Sequence, residues 1–153
     1  MSEISYRFAI PSDIETLVRL RLEFLAEGGQ GGTDSTGLPA GIRDYFSTKL
    51  PNGEFVAALA ESDGTVIGGS GMIYDRRPPR SKNPTGLSPY ILNMYVAPEF
   101  RRQGIATQLL QMLINHAKAA GSKVITLHFW PGKSALYAKV GFVPSEREMK
   151  IEF

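Results

Sequence analysis

The 153-residue chain has no cysteine, which excludes disulfides, thiolate metal sites and cysteine nucleophiles and leaves the redox compartment open. Histidine is scarce too. Neither His116 nor His128 has a carboxylate cluster near it in sequence, so no metal site is expected. Excess charge of one sign is small. The formal charge of +2, without aromatics interleaved among the cations, argues against nucleic acid as a partner. No apolar run approaches a membrane span, so no membrane partner is expected. The start, Met-Ser-Glu-Ile-Ser-Tyr-Arg, lacks the basic head and apolar run of a signal peptide, so a soluble, cytoplasmic protein is expected. No internal repeat and no Pro/Gly linker divides the chain, which predicts one domain over residues 1–153. An apolar fraction of 42% is enough for a core.

What is present reads as alternating strands and helices. Ile4, Tyr6, Phe8 and Ile10 alternate with polar residues and predict a strand. Ser12 with Glu15 has capping-box spacing, so a helix begins there with Ile14, Leu17, Val18, Leu22 and Leu25 buried. Arg19, Arg21 and Glu23 fall off that stripe. Residues 28–41 hold six glycines and predict a mobile loop, followed by a short helix over 42–50. Residues 55–60 and 65–74 predict a hairpin turning at Ser62-Asp63-Gly64, where Gly68, Gly69 and Gly71 either weaken the second strand or permit a close backbone approach. Residues 75–89 carry four prolines and four cations (Arg76, Arg77, Arg80, Lys82), an exposed loop read as solvated charge, with contact to an acidic ligand as the minor reading.

Residues 90–97 have little polarity and predict a central strand. From Gly104 to Ala120 the positions Ala106, Leu109, Leu110, Leu113 and Ala117 follow a helical period, closed by Gly121. Residues 123–129 predict a strand, 134–140 a short helix, and 142–153 a last strand from the alternation of Met149, Ile151 and Phe153. The order β-α-α-β-β-β-α-β-α-β predicts an α/β (α+β) sandwich on one sheet.

The join from Val96 to Thr107 carries the chemistry. A strand ending in Val96-Ala97-Pro98 runs through Arg101-Arg102-Gln103-Gly104-Ile105-Ala106 into a helix. Backbone N–H groups of Gln103, Gly104, Ile105, Ala106 and Thr107 gather there at the positive end of the helix, which suits a phosphate-bearing ligand. Gly104 and Ala106 leave room for it, and Arg101 and Arg102 supply charge. By itself this loop is also read as an ordinary helix start with two solvated arginines.

Its context decides. The loop fits the pattern Arg/Gln-x-x-Gly-x-Gly/Ala, and a second motif follows as Leu136-Tyr137-Ala138-Lys139-Val140-Gly141-Phe142. Together with the element order, these residues resemble the GCN5-related N-acetyltransferase superfamily over nearly the whole chain. One departure is Trp130-Pro131-Gly132-Lys133-Ser134, where that family often places an Asn before the Tyr helix. The resemblance implies a mixed, mostly antiparallel central sheet of six to seven strands flanked by about four helices. It implies acetyl-CoA as co-substrate, no metal, and acetyl transfer to a primary amine of a small molecule by direct attack in a ternary complex. The diphosphate would lie on Arg101–Thr107. The pantetheine arm would pair with the strand edge at Met94, Tyr95 and Val96, where one N–H could polarise the thioester carbonyl. Tyr137, a phenol of reference pKa about 10, would protonate the departing thiolate. A peptide or protein amine as acceptor, or a non-catalytic acyl-CoA-binding regulatory module, are the alternatives. Such folds dimerise through sheet or helix edges, so the resemblance also allows a homodimer.

Other sites fail on inspection. Gly132-Lys133-Ser134 lacks the earlier glycine of a P-loop, with Leu127 in its place, and Gly69-Ser70-Gly71 is not a nucleophile elbow. Glu23 and Asp75 are the carboxylates considered for taking the amine proton, and neither is assigned. His128 ends a strand near the cleft, where a substrate contact is the minor reading.

Overall fold

The computed structural model describes residues 2–30 and 37–153. Five strands, β1 (Ile4–Phe8), β2 (Phe55–Ser62), β3 (Thr65–Arg76), β4 (Leu87–Val96) and β5 (Thr126–Leu127), form one sheet in chain order. The first four are antiparallel neighbours, and β5 runs parallel to β4. Helices α1 (Ile14–Glu27) and α2 (Leu38–Lys49) cover one face, and α3 (Ile105–Ala119) covers the other. A short α4 (Ser134–Ala138) follows β5. No described helix is long and apolar enough to cross a membrane.

Strand periodicity divides the core. On β2, Ala58 and Ala60 face α3 with Leu109, Leu110 and Leu113, while Ala57 and Leu59 face α1 and α2 with Leu17, Leu20 and Phe46. A strand covered on both faces reads as a continuous apolar run, as residues 55–60 do. The glycines of β3 permit tight packing across the sheet. A Cβ on Gly71 would lie 2.3 Å from the Phe55 ring, which is 1% exposed.

Several expectations are corrected. The sheet has five strands, not six to seven. The strand expected over 123–129 shrinks to Thr126–Leu127, and no ladder forms over 142–153. Alternation in that tail defines a face, but a strand also needs a neighbour for its backbone groups, and Met149, Ile151 and Phe153 remain exposed. The Ser12–Glu15 capping box is absent. A 3-10 turn, Pro11–Asp13, leads into α1, and the Asp13 carboxylate accepts the Ile10 N–H at 2.8 Å. It also accepts two bonds from Arg7, at 2.7 and 2.9 Å, while Glu15 pairs instead with Arg43. Helix α2 begins at Leu38 rather than Ile42, with Pro39 in its first turn, where a missing N–H costs nothing. Residues 31–36 of the segment expected to be a mobile loop lie outside the described residues.

Candidate functional site

The site begins with a defect in β4. Leu92 pairs with Gly71 and Tyr95 with Gly69, so Asn93 and Met94 on β4 oppose the single residue Ser70 on β3. This is a β-bulge, and Asn93 takes φ of +61°. Asn is among the few non-glycine residues that tolerate this region. The extra residue resets the facing. Leu92 and Tyr95, three apart, both pack toward α1 and α2, while Met94 and Val96 pack toward α3.

A bulge bends its strand, and this one lies just past the last β5 pair, Ile91 with Leu127. Beyond that pair the strands part. The wedge between them is a cleft of about 880 Å³. Leu92 to Val96 line one wall with no strand beside their free edge among the described residues, and His128, Phe129 and Trp130 line the other. Trp130 is held by stacking on Phe24 of α1, centroids 4.5 Å apart.

At one end of the cleft stands the start of α3. Arg102 and Gly104 both take positive φ, +62° and +81°, and turn the chain into the helix. No side chain caps the helix start, so its first N–H groups are left without an intrahelical or side-chain acceptor. A Cβ on Gly104 would meet no protein atom within 4 Å. What glycine leaves open there is space outside the protein's own packing.

Arg101 and Arg102 differ in employment. The Arg101 Nε donates to the Val96 carbonyl at 2.7 Å, its Nη2 pairs with Glu27 at 2.5 Å, and its guanidinium lies 5.6 Å from the Tyr95 ring centre. It ties the loop to β4 and α1. Arg102, Lys133 and Lys139 line the cleft without a carboxylate partner among the described residues. Glu27, the one carboxylate on the cleft wall among the described residues, is already held by Arg101. The cleft wall therefore carries cations that no described carboxylate neutralises, and Arg102 is the one beside the helix start.

Tyr137 of α4 lines the same cleft and packs edge-on against Phe142. Burial pushes its phenol above the ordinary value, so it keeps its proton through the neutral range. Of the residues singled out in the sequence, Met94, Tyr95, Val96, Arg101, Arg102, Gly104, Ile105, Ala106, Thr107 and Tyr137 all line the cleft, and Gln103 does not. Glu23 pairs with Arg19, and Asp75 lies 3.8 Å from Arg77; neither lines the cleft. His128 does line it, bonded to the Tyr90 hydroxyl at 2.6 Å and to Glu148. His116 instead meets the Tyr74 hydroxyl at 2.6 Å, outside the cleft. Among the described residues no three His, Asp or Glu side chains gather as a metal would need. Sequence reasoning missed Asn93 as the bulge, Lys133, Lys139 and the Phe24–Trp130 stack. A polar Asn inside an apolar strand was the available signal for the first.

The profile of the acetyltransferase (GNAT) family matches residues 20–142. The chain belongs to that family. This acetyltransferase is also similar over its length to solved structures. A predicted acetyltransferase with acetyl-CoA from Clostridium acetobutylicum is 31% identical, with 98% of this chain and 96% of that one covered and a TM-score of 0.90. A GCN5-related N-acetyltransferase from Ralstonia eutropha JMP134 is 27% identical, covers 98% and 99%, and has a TM-score of 0.84. Glucosamine-6-phosphate N-acetyltransferase from Arabidopsis thaliana, at 18% identity, 99% coverage of both chains and a TM-score of 0.75, shares the fold. No curated protein sequence matches the chain.

Proposed function

We propose that this acetyltransferase moves the acetyl group of acetyl-CoA to a primary amine of a small molecule by direct attack in a ternary complex. The observation that carries the reading is a single cleft. It has uncapped helix N–H groups at one end, cations on its walls that pair with no described carboxylate, an unpaired strand edge along one wall, and a protonated tyrosine facing it. The similar protein from Clostridium acetobutylicum, solved with acetyl-CoA, supports the choice of acyl donor.

The residues fit a nucleotide thioester. The N–H groups at the start of α3 and the Arg102, Lys133 and Lys139 side chains bind phosphate oxygens. The edge of β4 at Met94, Tyr95 and Val96 pairs with the two amides of the pantetheine arm, as an added strand does. Arg101 already occupies the Val96 carbonyl, so pairing falls mainly on Met94 and Tyr95. At the bulge a backbone N–H released from the β3 ladder donates to the carbonyl oxygen that gains charge as the amine attacks. The carbon–nitrogen bond forms and the carbon–sulfur bond breaks. The Tyr137 hydroxyl gives its proton to the departing sulfur, and the proton shed by the amine nitrogen passes through water to restore the phenol.

The test is thiol release from acetyl-CoA with small amines and peptides, on the wild type and on Tyr137→Phe. The variant should bind acetyl-CoA with affinity within about twofold of wild type and lose about 100-fold in kcat, the usual scale for a positioned general acid. Unchanged turnover would remove Tyr137 from the acid role. Acetylation of peptides in preference to small amines would overturn the acceptor class.

A further inference from the structure

In sequence Arg21 falls off the buried stripe of α1. It is instead half-buried, and its Nη1 donates to the Asn93 side-chain oxygen at 2.5 Å, at the bulge that lines the cleft. Among the described residues it makes no ion pair, although Arg7, Arg19, Arg43, Arg77 and Arg101 all do. Burial lowers the guanidinium's pKa, with the phenols of Tyr45 and Tyr90 as the nearby titratable groups. Tyr90 is itself bonded to His128, and Glu148 beyond it is held by that same ring. Arg21 is not itself on the cleft wall; it reaches the cleft through Asn93, which is.

A partly desolvated cation with no counter-charge among the described residues is costly to keep, and an anion brought by a ligand removes that cost. Asn93 takes one of the five guanidinium N–H donors and no other described residue takes a second, a fork suited to a carboxylate or phosphate. We propose that Arg21 anchors an anionic group of the acceptor, so that the substrate is a primary amine that also carries a carboxylate or a phosphate. Asn93 sets the angle of the fork: fixed by its own backbone geometry in the bulge, it holds Arg21 beside the cleft. This deepens the transferase reading of the same cleft and rests on it.

The experiment uses amines in matched pairs, a free carboxylate against its carboxamide and a phosphate monoester against its parent alcohol. Wild type should prefer the anionic member by about tenfold to a hundredfold in kcat/KM, mostly through KM, as loss of a charge-assisted contact implies. In Arg21→Gln the ratio should collapse toward one, and Arg21→Lys should restore part of it. The carboxylate and phosphate arms distinguish the two sources of charge. Calorimetry of the same amines on CoA-saturated protein reads the anchor without turnover. If the anchor is right and the transferase reading wrong, anionic amines bind, respond to Arg21→Gln and are not acetylated. Equal binding and turnover of both members of each pair, or a ratio that Arg21→Gln leaves unchanged, overturns the proposal.

Discussion

Substitution of Gly104 separates what the fold needs at the helix start from what a ligand needs. The residue takes φ of +81°, and a Cβ there meets no protein atom within 4 Å. Gly104→Ala therefore carries no packing penalty, only the conformational one of about 1–2 kcal/mol for an L-residue in the left-handed region. Gly104→Asn adds a larger side chain but tolerates that region, so it should fold within about 0.5–1 kcal/mol of wild type. Both side chains project into the space where the diphosphate is proposed to sit. Loss of one or two charge-assisted contacts from the helix N–H groups would weaken acetyl-CoA by about tenfold to a hundredfold or more. Trp130 supplies the assay, since it is the only tryptophan of the chain, lines the cleft and stacks on Phe24. Its emission should change on titration with acetyl-CoA, and urea melts give stability in parallel. The expected pattern is Gly104→Asn near wild type in stability and impaired in binding. An Asn variant that binds acetyl-CoA within twofold of wild type would refute the placement of the diphosphate.

Two further outcomes concern stability. Gly71→Ala should destabilise by about 2 kcal/mol through overpacking, because Phe55 is buried against Phe46 and β3 is paired on both sides at that residue; urea denaturation of Gly71→Ala, Phe55→Leu and the double variant checks it, with a double-variant cost below the sum of the singles. The Arg7 hydrogen bonds hold the buried Asp13 carboxyl below the ordinary aspartate value, so its folded pKa is lower than its unfolded one. The stability it lends is full above about pH 4 and is lost as pH falls through the folded pKa. Urea midpoints measured downward from pH 5 should therefore fall more steeply for wild type than for Arg7→Gln.

How much of this was legible follows from what each feature writes into side chains. The α3 stripe, the apolar run of β2 and the Gly-Phe closure after α4 are packing features, and packing selects residue type, so nine of the ten elements stand in the expected order. The missing tenth is instructive. Met149, Ile151 and Phe153 alternate as a strand should, yet alternation states which face is apolar and says nothing about which neighbour completes the ladder. Arg21 failed for a related reason. A helical wheel ranks positions by angle to one core, whereas the bulge at Asn93 brings a cleft wall and a hydrogen-bond acceptor to a side of α1 that the wheel marks as solvent.

The bulge itself links these cases. One additional residue on β4 moves Leu92 and Tyr95 to the same face, bends the strand away from β5 and opens the wedge that Tyr137, Trp130 and the start of α3 share. A site defined by a departure from strand regularity leaves little trace in a pattern read for regularity. Its mark is one polar residue, Asn93, within the apolar stretch 90–97, tolerated where an Ile or Val would be strained. The loop residues 101–107 were readable because a second motif, Leu136 to Phe142, and the element order stood beside them. The geometry that makes them part of a cleft was not, because it is created some ten residues earlier by backbone alone.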